Sequence, residues 1–309
     1  MIKKILSTVL LLAIIATGIW ATVRSNRTVT GTGLKVTASY YPMYDFAKQV
    51  GGNKVQVTNM TPAGSEPHDF EPTPKSLAAA EGAAVFIYNG GTMEPWTDKF
   101  VQGYKGVVVK ASNHIALKPG QAEDGAAATT ANQPITDPHF WLDPVLAQHI
   151  VDNIRDGLSK ADPSNVHFYA ANAKAYNQKL AQLDQAYRQG LQTCQQRTIV
   201  VSHQSAGYIA ARYNLQVEAI AGLTPESEPS AAHLADIATI VKAKNIHYIF
   251  FESLVSPRLA DTIATETGAK TLVLDPIEGL TDAAQQAGKN YLSVQQDNLG
   301  NLRRALACQ

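Results

Sequence analysis

From Leu34 onward, short runs rich in β-branched and aromatic residues alternate with stretches whose apolar positions recur at helical spacing. The first half reads LKVTASYY, a helix over 43–50, VQVTNM, a helix from Lys75, AAVFIYNG, a helix near Pro95, and GVVVKAS. A second series runs through RTIVVS, a helix around Tyr208, VEAIAG, a helix over 231–244, HYIFFES, a helix over 257–266, and TLVLDP. Strand and helix in strict alternation predict a parallel sheet covered on both faces. The pattern occurs twice. The fold class is therefore α/β, with two lobes, each a central parallel sheet flanked by helices.

Between the two series, residues 164–190 contain no proline, carry apolar residues at helical spacing and end at Gly190. Asp162 followed by Pro163 supplies a helix start, as an N-cap with proline in the first turn. One long helix is expected to join the lobes. The organisation that follows is a signal peptide or signal anchor with its tether over 1–30, an N-terminal metal-binding lobe over 31–162, a connecting helix over 163–192 and a C-terminal metal-binding lobe over 193–309.

Lys3 and Lys4 precede an apolar run over 5–20, the order of an export signal and shorter than a comfortable membrane span. Bulky Ile19 and Trp20 blur any cleavage site, so a cleaved signal and an uncleaved anchor both stand. No cysteine lies in this stretch, and the expectation is an exported protein, periplasmic or at the outer face of the membrane, that is not a lipoprotein. Cys194 and Cys308 are the only cysteines. In a chain that leaves the reducing cytosol they are expected to pair as a disulfide, the alternative being two buried thiols. Lys plus Arg and Asp plus Glu both number 26, which gives no global field to draw nucleic acid. A monomer is expected.

Four metal-competent side chains stand in short phrases at the edges of apolar runs: His68 in GSEPHDFEP, His139 in DPHFWLDP, His203 in VVSHQSAGY and Asp275 in LVLDP. Three imidazoles and one carboxylate suit zinc. They are too far apart in sequence for a local finger or a helical clasp, so only the folded chain could unite them. His68, His203 and Asp275 follow predicted strands, where ligands bind in parallel α/β sheets. Two come from each half, which puts the metal in the cleft between the lobes.

With these phrases, the EPS at 228–230 and FFESLVSPRLADTIATETGAK, the chain resembles the solute-binding proteins of zinc and manganese ABC importers, of the zinc-uptake periplasmic type among the cluster A-I metal-binding proteins, from about Leu34 to the C-terminus. The resemblance implies His68, His139, His203 and Asp275 as ligands, zinc as the captured ion and a membrane ABC permease as partner. A histidine at the third position, where manganese-preferring members have glutamate, points to zinc, with manganese as the alternative cargo. Many zinc members carry a His-rich acidic loop before the second ligand. Here that stretch holds only His114, Glu123 and Asp124.

Each residue also has a plainer reading. Asp275 before Pro276 could simply shape a turn. Glu66 is a further oxygen donor or a support for His68. Asp143 could orient a ligating imidazole, although an N-cap before Pro144 explains it adequately. Glu252 is a strand-end carboxylate supporting the cleft. The remaining histidines read as ordinary surface or core residues. The GTG at 31–33 precedes a strand and lacks the mechanism of a dinucleotide loop. A zinc hydrolase is disfavoured because side chains fill all four positions, leaving none open for water. A surface adhesin with a structural metal is a further alternative.

Overall fold

In the computed structural model the described residues are 33–120, 129–130 and 133–309. The apolar run at 5–20, and residues 121–128 and 131–132 of the variable stretch before His139, with Glu123 and Asp124, lie outside them. The first lobe runs β1 (Leu34–Ala38), α1 (Tyr41–Gly51), β2 (Val55–Asn59), α2 (Pro74–Glu81), β3 (Val85–Tyr88), α3 (Thr97–Gly103) and β4 (Val107–Lys110). A two-residue hairpin, β5 (Thr129–Thr130) with β6 (Gln133–Pro134), precedes α4 (Pro144–Ala161) and the long α5 (Val166–Gly190). The second lobe runs β7 (Thr198–His203), α6 (Gly207–Tyr213), β8 (Gln216–Ala221), α7 (Ala231–Ala243), β9 (Tyr248–Phe251), α8 (Arg258–Thr267) and β10 (Lys270–Val273), closed by α9 (Asp282–Gln286) and α10 (Tyr291–Ala305).

The sheet orders are β2-β1-β3-β4 and β10-β9-β7-β8, with every pair parallel. Read in strand order within each lobe, both follow second-first-third-fourth. Each chain path therefore reverses direction between its first and third strands, which opens a crevice beyond their carboxyl ends. β3 is buried at all four positions and β7 at five of six, as strands covered on both faces must be.

The long helix forms as expected, with a different start. A 3-10 turn at Pro163–Asn165 precedes α5. The Asp162 carboxylate accepts from Ser164 Oγ and Asn165 Nδ2 at 2.6 Å and from Tyr169 OH at 2.8 Å, leaving no cap to a backbone N–H. Tyr169, Ala173, Tyr176, Leu180, Leu183 and Tyr187 form a buried stripe at alternating steps of four and three. At 1.5 Å per residue the helix spans about 37 Å, long enough to pack against both lobes. One apolar core accordingly runs from Val36 and Phe46 through α5 to Ile199 and Leu302. The bridge between Cys194 and Cys308 is formed.

Candidate metal centre

His203 is the last residue of β7, the first strand of its lobe and therefore at the crevice. β9 lies beside it with Val200 opposite Ile249, a register that carries forward to His203 opposite Glu252. Glu252 Oε1 stands 2.6 Å from His203 Nδ1. A carboxylate only accepts, so Nδ1 carries the proton and Nε2 presents its lone pair to the crevice.

His139 obtains the same arrangement locally. Asp137, two residues earlier across Pro138, accepts from the His139 backbone N–H at 2.9 Å and its Nδ1–H at 2.8 Å with one oxygen. Behind it, Asn89 donates to the Pro138 carbonyl at 2.9 Å, and Tyr40 OH donates to Asn89 at 2.9 Å. From the other lobe, Tyr208 OH donates to the Asp137 carbonyl at 2.9 Å. His139 and His203 are both wholly buried.

His68 sits in the long irregular segment between β2 and α2, its backbone N–H bonded to Glu66 Oε1 at 3.1 Å. Its side chain is only 3% exposed. Glu278 lies beyond β10, wholly buried. The Nε2 atoms of His68 and His203 stand 3.3 and 3.2 Å from that of His139. Glu278 Oε1 is 3.4 Å from His68, 3.2 Å from His139 and 3.4 Å from His203. Four ligand-competent atoms, all within 4.8 Å of one another, thus face a common centre.

A tetrahedral ion with bonds of about 2.0–2.1 Å needs donor atoms about 3.3–3.4 Å apart. Five of the six edges here measure 3.2–3.4 Å. Both Glu278 oxygens are buried with no hydrogen-bond donor in bonding geometry, a costly arrangement for a carboxylate unless a cation takes the centre. The residues fit a four-coordinate divalent metal with three nitrogen donors and one oxygen.

The electrostatics agree. Burial alone would push Glu278 up, but the three imidazoles, His203 foremost, hold it well below the ordinary carboxylate value. Burial opposes charge on His203 and His139, yet Glu252 and Glu278 around the former and Asp137 and Glu278 around the latter raise both. His68, with no such carboxylate behind it, is lowered, chiefly by burial. Glu66 is pushed up to about 9, chiefly by burial and then by Glu278.

The structure brings together His68, His139 and His203, but the carboxylate beside them is Glu278. Asp275 instead accepts the Ile277 N–H at 2.7 Å, while its own N–H and C=O are bonded to the Asn298 amide at 2.9 and 2.7 Å. Burial raises its carboxyl to about 6, against the hydrogen bonds from Ser253 and the Ile277 N–H, which lower it. Asp275 lies in the turn that leads to Glu278. Glu252 lies behind His203, at its Nδ1. Asp143 does not orient an imidazole: it caps α4 through Val145 N and Leu146 N and pairs with Arg212 at 2.7 Å. Asp137 performs that task. Its signal was the phrase DPH, in which a proline between an acid and a histidine favours a turn that folds one onto the other. His114, His149, His167 and His247 are exposed, and His233 is bonded to the Ala219 carbonyl at 2.9 Å.

Comparison with known proteins points to zinc. The model of the family described as "Zinc-uptake complex component A periplasmic" matches residues 36–305. Zinc-binding lipoprotein AdcA of Streptococcus pneumoniae (strain ATCC BAA-255 / R6) is 39% identical over 286 residues, covering 91% of this chain and 57% of AdcA. The chain thus spans little more than half the length of that relative. The high-affinity zinc uptake system protein ZnuA of Bacillus subtilis (strain 168) is 40% identical over 282 residues, covering 89% of this chain and 88% of ZnuA. The crystal structure of the Zn(II)-bound ZnuA-like domain of S. pneumoniae AdcA has a TM-score of 0.77 at 39% identity, covering 89% of this chain and 99% of that one. The expectation that this chain is not a lipoprotein is corrected by these findings. A relative this similar is named a lipoprotein. With a match over nearly all of the described residues, the chain belongs to the family of the periplasmic component A of zinc-uptake complexes.

Proposed function

We propose that this protein captures zinc outside the cytoplasm in the cleft between its lobes and hands it to a membrane ABC permease. His68, His139, His203 and Glu278 are the ligands in this reading, Asp137 and Glu252 their outer supports. The observation that carries it is the edge length of the four-atom cluster, which matches a tetrahedral zinc ion. Manganese favours more oxygen donors and higher coordination, so three imidazoles disfavour it. Four protein donors leave no position for an activated water, which supports a carrier without catalysis. The protein acts as a monomer, with no role for nucleic acid. Its lobes over 31–162 and 193–309, joined by 163–192, each give two ligands.

The test is metal analysis of the purified, chelator-stripped chain after equilibration with equimolar zinc and manganese, beside His203→Ala, Glu278→Gln and Asp275→Asn. One zinc per chain is expected, lost in the first two variants and kept in the third. Retained manganese would move the cargo. Loss in Asp275→Asn with retention in Glu278→Gln would restore Asp275 as the fourth ligand.

A further inference from the structure

Ile277, the residue before Glu278, has φ +59° and is wholly buried. A β-branched residue in the left-handed region is a conformational outlier, held only where its surroundings over-determine it. Three groups surround this turn. Asp275 takes the Ile277 N–H at 2.7 Å. Asn298 of α10 holds both backbone polar groups of Asp275. Trp141, from the other half of the chain, donates its indole N–H to the Pro276 carbonyl at 2.8 Å.

Trp141 is itself fixed. It is wholly buried, its ring meets Tyr40 edge-on at 5.3 Å, and its own carbonyl accepts from Tyr291 OH at 2.5 Å. It lies two residues from His139, whose ring centre is 5.2 Å away. One side chain therefore ties the segment bearing His139 to the segment bearing Glu278. The metal-site reading above gives this tie a purpose, and the inference rests on that reading.

We propose that Trp141 is a positioning residue for Glu278: by holding the Pro276 carbonyl it keeps the strained Ile277 turn in place and so sets the Glu278 carboxylate against the three imidazoles. Without the indole N–H the turn relaxes toward ordinary backbone angles and swings the carboxylate away from the centre. A glycine at position 277 adopts the turn without strain, so it removes the need for the clamp.

The experiment measures zinc affinity by chelator competition, and the visible absorption of the cobalt-loaded chain, for wild type, Trp141→Phe, Ile277→Gly and the double variant, with Glu278→Gln in parallel. Trp141→Phe keeps an aromatic side chain and removes the donor together with part of the buried ring volume, a packing change that the spectrum separates from the lost hydrogen bond. It is expected to weaken zinc about tenfold and to shift the cobalt spectrum toward that of Glu278→Gln, with affinity and spectrum restored in the double variant. A purely packing role for Trp141 would leave the spectrum of the folded fraction unchanged. If Trp141→Phe alone does not fold, the double variant is compared with Ile277→Gly. The proposal requires those two to bind within about twofold of each other, and a tenfold gap overturns it. A wild-type chain that binds no zinc sinks the metal-site reading itself. Zinc binding by wild type, with Trp141→Phe unchanged in affinity and spectrum, sinks this inference alone.

Discussion

Glu252 Oε1 and His203 Nδ1 stand 2.6 Å apart because β9 lies beside β7 in a fixed register. The carboxylate fixes the imidazole tautomer and makes Nε2 a better donor, and such outer partners are worth about 10–100-fold in metal affinity. Glu252→Gln keeps the shape and reverses part of the hydrogen-bonding logic. It is expected to weaken zinc binding by at least about tenfold in a chelator titration while leaving one zinc per chain at saturation. Unchanged affinity would reduce Glu252 to a structural group.

Gly207 opens α6 directly over the Asp137 carboxylate. A Cβ there would meet Asp137 Oδ2 at 2.7 Å, closer than such contacts occur. Gly207→Ala must therefore push the carboxylate that holds His139. Zinc affinity is expected to fall about tenfold, with a loss of zinc-free stability of about 1–3 kcal/mol from the added methyl. Thermal unfolding with and without zinc separates the two effects: a fall of equal size in both conditions would mean the clash is absorbed elsewhere.

The doubled strand-helix pattern revealed both lobes, because strands buried on both faces write their burial directly into apolar runs. Strand ends were legible too, and with them His203 and Glu252. LKVTASYY stops being strand at Ala38, where Pro42 favours the first turn of a helix. Glu278 was not legible. It stands three residues past the predicted strand end, and the turn that brings it inward requires a left-handed isoleucine, which composition argues against. Asp275, at the strand end itself, looks like a ligand in the sequence, whereas its carboxylate accepts the Ile277 N–H in the turn that leads to Glu278. Asp143 caps α4, the plainer of its two readings; two Asp-Pro pairs flank the HFWL run, and only the three-dimensional turn shows which carboxylate reaches the ring.

Zinc removal should make stability depend on pH in a defined direction. His139 and His203 have folded values raised above the ordinary 6.5. Their contribution is complete below about 6.5 and is lost as pH rises through the folded values. Glu278 has a folded value depressed below 4.5. Its contribution is present above about 4.5 and is lost as pH falls through that lowered value. His68, lowered by burial, works the other way, but the two raised imidazoles outnumber it, so the chelator-treated chain is expected to be more stable near pH 6 than at pH 8. Zinc must displace the imidazole protons, so the rise in Tm on adding zinc should be larger at pH 8. A zinc-induced rise that is equal at the two values would refute this coupling.

The disulfide and the metal centre lie at opposite ends of β7. Cys194 precedes that strand and is bridged to Cys308 across 114 residues of sequence, while His203 closes it, six residues of strand and about 20 Å further on. Around the bridge, Gln196 N–H donates to the Leu306 carbonyl at 3.1 Å and Gln309 N–H to that of Thr193 at 3.3 Å, so the end of α10 is pinned to the entry of the second sheet. Closing so long a loop chiefly restricts the unfolded chain, worth about 2–4 kcal/mol. Cys194→Ser with Cys308→Ser should therefore lower the Tm by several degrees with or without zinc. It should leave the zinc affinity of the folded protein within about twofold of wild type, because nothing at the bridge touches a ligand or its support. A tenfold loss of affinity at unchanged Tm would mean instead that α10, which carries the Asn298 amide behind Asp275, transmits the bridge to Glu278.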